Sequence, residues 1–180
     1  PEYLFKGFDS ASVGNKPLVG EKHPVYTAPS AIISPKSFFT PFNAFAAVLM
    51  VFIALTLIRS QWSKSILGSL DFLLFLCAGL LGILLVMMWL GTDHVLCRNN
   101  YNLLWALPFH TIAAFFLRSK KKMMHQYWGI SVLVYALVLA FWVLLPQELN
   151  KDLVPLIILL CWRSWKQFKR SENAQKITNS

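Results

Sequence analysis

Apolar positions in this chain gather in long unbroken runs, and polar positions gather between the runs, a pattern unlike the spaced stripe of a water-soluble helix. Residues 38–58 carry no charge and, as a helix of about twenty residues, reach across a hydrocarbon core of roughly 30 Å. A second run, 66–90, is interrupted only by Asp71 near its start. The third, 101–117, contains Pro108 and His110, and the fourth, 127–145, ends before Pro146. The fifth is weaker, because 153–162 supplies only about ten apolar residues, a length more usual for an interfacial segment.

These runs predict an all-α membrane protein, a bundle of about five transmembrane helices at about 38–58, 66–90, 101–117, 127–145 and 150–165. Residues 1–37 hold five of the nine prolines with scattered Gly, Ser and charge, and read as an extended arm or linker. Residues 166–180 form a basic tail. The arm has no export signal before the first apolar run, so a longer parent chain carrying one upstream is expected.

Composition supports the membrane class: 56% of the 180 residues are hydrophobic, against roughly 45–50% in soluble domains. The net charge of +9 would also suit nucleic acid, so its distribution decides. Folded as an up-down series, one side collects Arg59, Lys64, Arg118, Lys120, Lys121, Lys122, Arg163, Lys166, Lys169, Arg170 and Lys176. The other receives Lys36, Arg98 and Lys151 near the spans, three distant lysines and six of the eight acids, so the whole excess lies on the first side. Short cytoplasmic loops are rich in Lys and Arg, which predicts an arm outside the cytoplasm and a cytoplasmic tail. A topology-setting charge removes the need for a nucleic-acid partner. The same count is the reason for reading 150–165 as a span.

Chemistry-bearing side chains crowd into one place, the connection between the second and third runs. If a helix begins near Arg98, then Asn99, Asn102 and His110 share a face, and such groups are costly facing lipid. This predicts a polar pocket at the outer leaflet, roofed by Asp93, His94 and Cys97 and floored by Asn99, Asn102 and His110. The plain alternative is that these residues cap helices and tie spans together. His94 and Cys97 have ligand-like spacing, but zinc sites use three or four protein ligands and no second pair stands nearby, so neither metal nor cofactor is expected. A Cys–His nucleophile pair at those two positions is conceivable. Cys77 and Cys161 lie in apolar runs and read as small hydrophobes.

Elsewhere, Asp71 reads as structural, pairing with Lys64 or with the basic loop before the fourth span. Pro108 predicts a kink with the Leu104 carbonyl left free. Ala78, Gly79 and Gly82 form a patch that another helix can approach closely.

The run Gly91-Thr-Asp-His-Val-Leu-Cys-Arg-Asn-Asn-Tyr-Asn-Leu-Leu-Trp-Ala-Leu-Pro-Phe-His110, preceded by Phe72-Leu-Leu-Phe and Gly79-Leu-Leu-Gly82, resembles the five-helix transmembrane domain of Lnb-like proteins, relatives of the lipoprotein N-acyltransferase Lnb. The resemblance covers roughly residues 38–165, and the arm is similar to the end of the periplasmic domain in such proteins. Asp93, His94, Cys97, Asn99, Asn100, Asn102, Trp105, Pro108 and His110 match the motif. The resemblance implies a bacterial inner-membrane protein whose upstream periplasmic domain moves an acyl chain onto a lipidated cysteine by Cys/His chemistry. Cys97 does not match that nucleophile, so no catalytic residue is assigned in this chain. The expected function is a membrane module that anchors an acyltransferase-like domain and offers phospholipid or lipidated substrate a pocket at the outer leaflet. The other expectation is a non-enzymatic anchor that docks an envelope protein partner through 91–110. A solute transporter fits less well, since no paired broken helices or internal repeat are evident.

Overall fold

Thr40 starts the first helix. Its hydroxyl accepts the Asn43 N–H at 3.2 Å, and Pro41 follows at a first-turn position where no N–H is needed. In the computed structural model, which describes residues 12–13, 16–17, 39–91 and 100–178, this helix is α1, Pro41–Leu57. The chain divides into two compact units, Pro1–Ser37 and Phe38–Ser180. In the first, β1 (Ser12–Val13) pairs antiparallel with β2 (Lys16–Pro17), Ser12 opposite Pro17, a small hairpin within the arm that was read as extended.

All regular structure described in the second unit is helical. The long α2 (Gln61–Gly91, 31 residues) begins five residues before its apolar run, because the Ser60 hydroxyl accepts the Ser63 N–H at 3.1 Å and nucleates a polar first turn. Its buried stripe includes Ser63, Asp71, Ala78, Gly79 and Gly82, while Leu73, Leu80, Leu84, Met87 and Leu90 are exposed. Apolar outside and small or polar inside is the reverse of a soluble helix and suits a lipid surround. By length and apolarity α2 and α4 (Lys122–Ala140, 19 residues) are long enough to cross a membrane, whereas α1 is apolar but shorter.

The expected third span, 101–117, is not one helix. A 3-10 turn, Tyr101–Leu104, closes where the Asn102 carbonyl takes both the Trp105 N–H (3.2 Å) and the Ala106 N–H (2.9 Å). Pro108 then breaks the helix outright instead of kinking it, and a six-residue helix, α3 (His110–Phe115), restarts beyond. The pieces lie along α2. A Cβ on Gly82 would stand 2.8 Å from Pro108 N, and one on Gly79 2.8 Å from the carbonyl carbon of His110, so both glycines admit backbone where any side chain would collide. Contacts running from Gly82 to Gly68, which faces Arg118, set this segment antiparallel to α2 over about 21 Å.

After α4 the chain turns through Trp142–Leu144 and Lys151–Leu153, the latter capped by Asn150, whose side chain accepts the Asp152 N–H at 3.0 Å. The fifth helix, α5 (Val154–Thr178), continues past residue 165 without a break. It lies antiparallel along α4: Cys161 faces the Val132 carbonyl, the Phe168 ring lies 3.0 Å from a Cβ on Gly129, and His125 Nδ1 meets Ser171 Oγ at 3.0 Å. Arg163, Ser164, Gln167 and Ser171 form a buried polar face on α5, so its second half is amphipathic.

Candidate functional site

The break at Pro108 leaves backbone carbonyls before it without helical partners, and the rest of the site follows from how one of them is satisfied. The free group filled from a neighbouring helix is that of Trp105, not Leu104: Tyr135 on α4 donates its hydroxyl to it at 3.2 Å. Since the Tyr135 proton is committed there, its oxygen accepts from His110 Nε2. His110 Nδ1 is then the acceptor and takes the Tyr127 hydroxyl at 2.6 Å. The network therefore assigns a neutral His110 with the proton on Nε2.

His110 is fully buried among aromatic rings, with Trp128 stacked at 5.7 Å and Phe75 tilted at 4.9 Å. Tyr127 and Tyr135 escaped the sequence reading. Their signal is the recurrence Tyr127, Ser131, Tyr135 at every fourth residue of an apolar run, which puts three hydroxyls on one helix face.

A second run of hydrogen bonds starts from the Trp105 side chain at the 3-10 turn. Trp105 Nε1 donates to Asn102 Oδ1 at 2.9 Å, and Asn102 Nδ2 donates to Asn100 Oδ1 at 2.8 Å. Gln147, in the connection after α4, accepts the Tyr101 N–H at 2.8 Å. Asn100, Asn102 and the Trp105 indole thus form one run of hydrogen bonds, and the Trp105 carbonyl, Tyr135, His110 and Tyr127 another, the two joined through the covalent frame of Trp105. Asn102 and His110 do not share a helix face, because the helix that would align them is absent. Asp93, His94, Cys97 and Asn99 lie outside the described residues. Among those described, no cysteine bonds a histidine: Cys77 is exposed and Cys161 faces a backbone carbonyl.

The indole of Trp105 also forms part of an apolar groove between α1, α2 and the start of α5. The groove holds about 390 Å³, and Phe45, Phe52, Leu74, Cys77 and Leu156 contribute to its walls. Such walls offer dispersion contact and no hydrogen bonds, a lining suited to hydrocarbon.

Asp71 closes the other half of the bundle. Its partner is neither Lys64 nor the loop before α4. Arg163 of α5 donates from Nε and Nη2 to the two carboxylate oxygens at 2.6 and 2.7 Å, and Gln167 Nε2 adds a third bond at 2.9 Å. The guanidinium also lies over Phe52 of α1, 5.5 Å from the ring centre. One buried pair therefore links three helices.

The Lnb transmembrane domain family matches residues 33–173. This chain belongs to that family. Comparison with curated proteins and with solved structures gives no match. The stretch matched to the Lnb transmembrane domain contains α1 to α4 and all but the end of α5, so the relay, the groove and the ion pair all lie within it. The chain is accordingly a membrane protein, in keeping with the many large apolar side chains exposed on its helices.

Proposed function

We propose that this chain is the membrane module of a lipoprotein-processing protein of the bacterial inner membrane. In this reading it anchors a periplasmic acyltransferase-like domain and holds an acyl chain of phospholipid or lipidated cysteine in the groove beside Trp105. The chain crosses five times, the third time as the broken segment 101–117, with the arm periplasmic and the Lys/Arg-rich end cytoplasmic, in keeping with the charge count. The observation that carries the proposal is the shared residue: Trp105 walls an apolar groove with one face and binds Asn102 through its indole N–H. A hydrocarbon chain in the groove would place its polar head toward the Asn100–Asn102 turn, where amides both donate and accept.

The test is made in the full-length protein. Cys77→Trp fills the groove from an exposed position, so the bundle is expected to fold. Mass spectrometry of lipoprotein N-termini should then show N-acylation reduced at least about tenfold, the scale of 1.4 kcal/mol in substrate binding. Unchanged acylation by a folded variant would remove the groove from the proposal.

One observation favours the other reading insofar as it makes the helices a non-enzymatic anchor. In the described part of the 91–110 stretch, Asn100, Asn102 and Trp105 bind one another, which is what a purely structural turn would do. Exchanging the helices for an unrelated membrane anchor separates the readings: acylation that survives assigns them to tethering.

A further inference from the structure

At the end of the bundle opposite the Asn100–Asn102 turn, a second cavity of about 500 Å³ opens between α2, α5 and the chain after α3. Its character is the reverse of the groove's. The floor is the buried Asp71–Arg163 pair, with Gln167 beside it. The rim carries Lys64, Arg118, Lys166 and Arg170, drawn from three segments far apart in sequence. Asp71 is the one carboxylate in the lining and Arg163 neutralises it, so four cations converge without a counter-charge. Neither ion pair among the described residues, Arg163–Asp71 or Lys169–Glu172, engages any of the four.

Two details distinguish this cavity from a solvated basic surface. Arg118 is drawn back over α2 at a glycine, where a Cβ on Gly68 would stand only 3.8 Å from its Nη2, so the guanidinium lies against the wall. Gln167 is 5% exposed, and its Oε1 has no hydrogen-bond partner although its Nε2 is bound to Asp71. Its burial and its bond to Asp71 fix Gln167 beside the ion pair, so the floor under the four cations is held in place by three hydrogen bonds.

We propose that this cavity is a binding site for a phosphate group. Arginine forks match phosphate oxygens two at a time, and the lysines add point charge. Two sources share this chemistry, the headgroup of an anionic phospholipid and a soluble phosphate ester.

The test compares the full chain with two double variants that lose equal charge at the same end. Arg118→Gln with Arg170→Gln removes the two arginines of the rim, whereas Lys121→Gln with Lys122→Gln lies outside the lining. Native mass spectrometry counts phosphatidylglycerol retained after exposure to vesicles of equimolar phosphatidylglycerol and phosphatidylcholine, and calorimetry in detergent follows binding of inorganic phosphate. The proposal expects the rim variant to lose about tenfold in affinity for whichever probe binds, with the control unchanged. Selective retention of phosphatidylglycerol assigns the lipid source, and phosphate binding without lipid selectivity assigns the soluble one. Equal losses in both variants, no loss in the rim variant, or binding of neither probe would overturn the site. If the rim variant melts early, Lys64→Gln with Lys166→Gln reads the same cavity from its other side.

Discussion

Asp71 on α2 and Arg163 on α5 stand 92 residues apart in the chain and meet through two hydrogen bonds of 2.6 and 2.7 Å. Both side chains are almost wholly buried, so the pair cannot fall back on water if one member is lost. Arg163→Met, which strands the carboxylate, is expected to destabilise the bundle by about 3–5 kcal/mol. Asp71→Leu combined with Arg163→Met removes both charges and should recover most of that loss. Reversible unfolding of the detergent-solubilised chain, run as a double-mutant cycle, checks this; equal losses in the single and the double variant would show that packing, not charge, was being read.

Gly79 and Gly82 set a second expectation. Their missing side chains are replaced by the backbone of the third segment, which cannot swing away as a flexible side chain would. Gly79→Ala and Gly82→Ala should each cost about 1–3 kcal/mol by overpacking. Gly91→Ala, at a position with open space around it, should be neutral or slightly stabilising. The three substitutions are chemically identical, so thermal melting of the set isolates the contact. Equal shifts would mean that helix propensity alone was at work.

The elements legible in the sequence are those whose helices face lipid. Runs 38–58 and 66–90 became α1 and α2 because uninterrupted apolarity and a helix of membrane length are the same signal. Hydropathy reports where lipid is, however, and not where a helix begins or ends. It missed the polar first turn of α2, and it stopped the fifth segment at residue 165 while α5 runs to Thr178. The sequence does hold a clue there, since Arg163, Ser164, Gln167 and Ser171 recur at helical spacing. In the third segment the weight given to Pro108 was too small. A proline in a short run with a glycine-lined neighbour ends the helix, and the stripe built on its continuity went with it. The partners of His110 and Asp71 could not be read from one element, because each comes from a helix distant in sequence.

The relay around His110 gives the last prediction, and its members are unequal. Tyr135→Phe leaves two buried groups without partners, His110 Nε2–H and the Trp105 carbonyl, whereas Tyr127→Phe frees only His110 Nδ1. At about 1–3 kcal/mol for each stranded group, Tyr135→Phe should be roughly twice as costly. His110→Phe added to Tyr127→Phe should cost less than the sum of the singles, because it removes the stranded acceptor along with its partner. The tautomer is open to direct observation. Nitrogen-15 spectra of the histidine-labelled chain should show the His110 proton on Nε2, with Nδ1 shifted as a hydrogen-bond acceptor, and Tyr127→Phe should move the Nδ1 signal alone. A proton found on Nδ1 would reverse the direction of the relay and require the Tyr135 hydroxyl to donate to His110, leaving the Trp105 carbonyl to another donor.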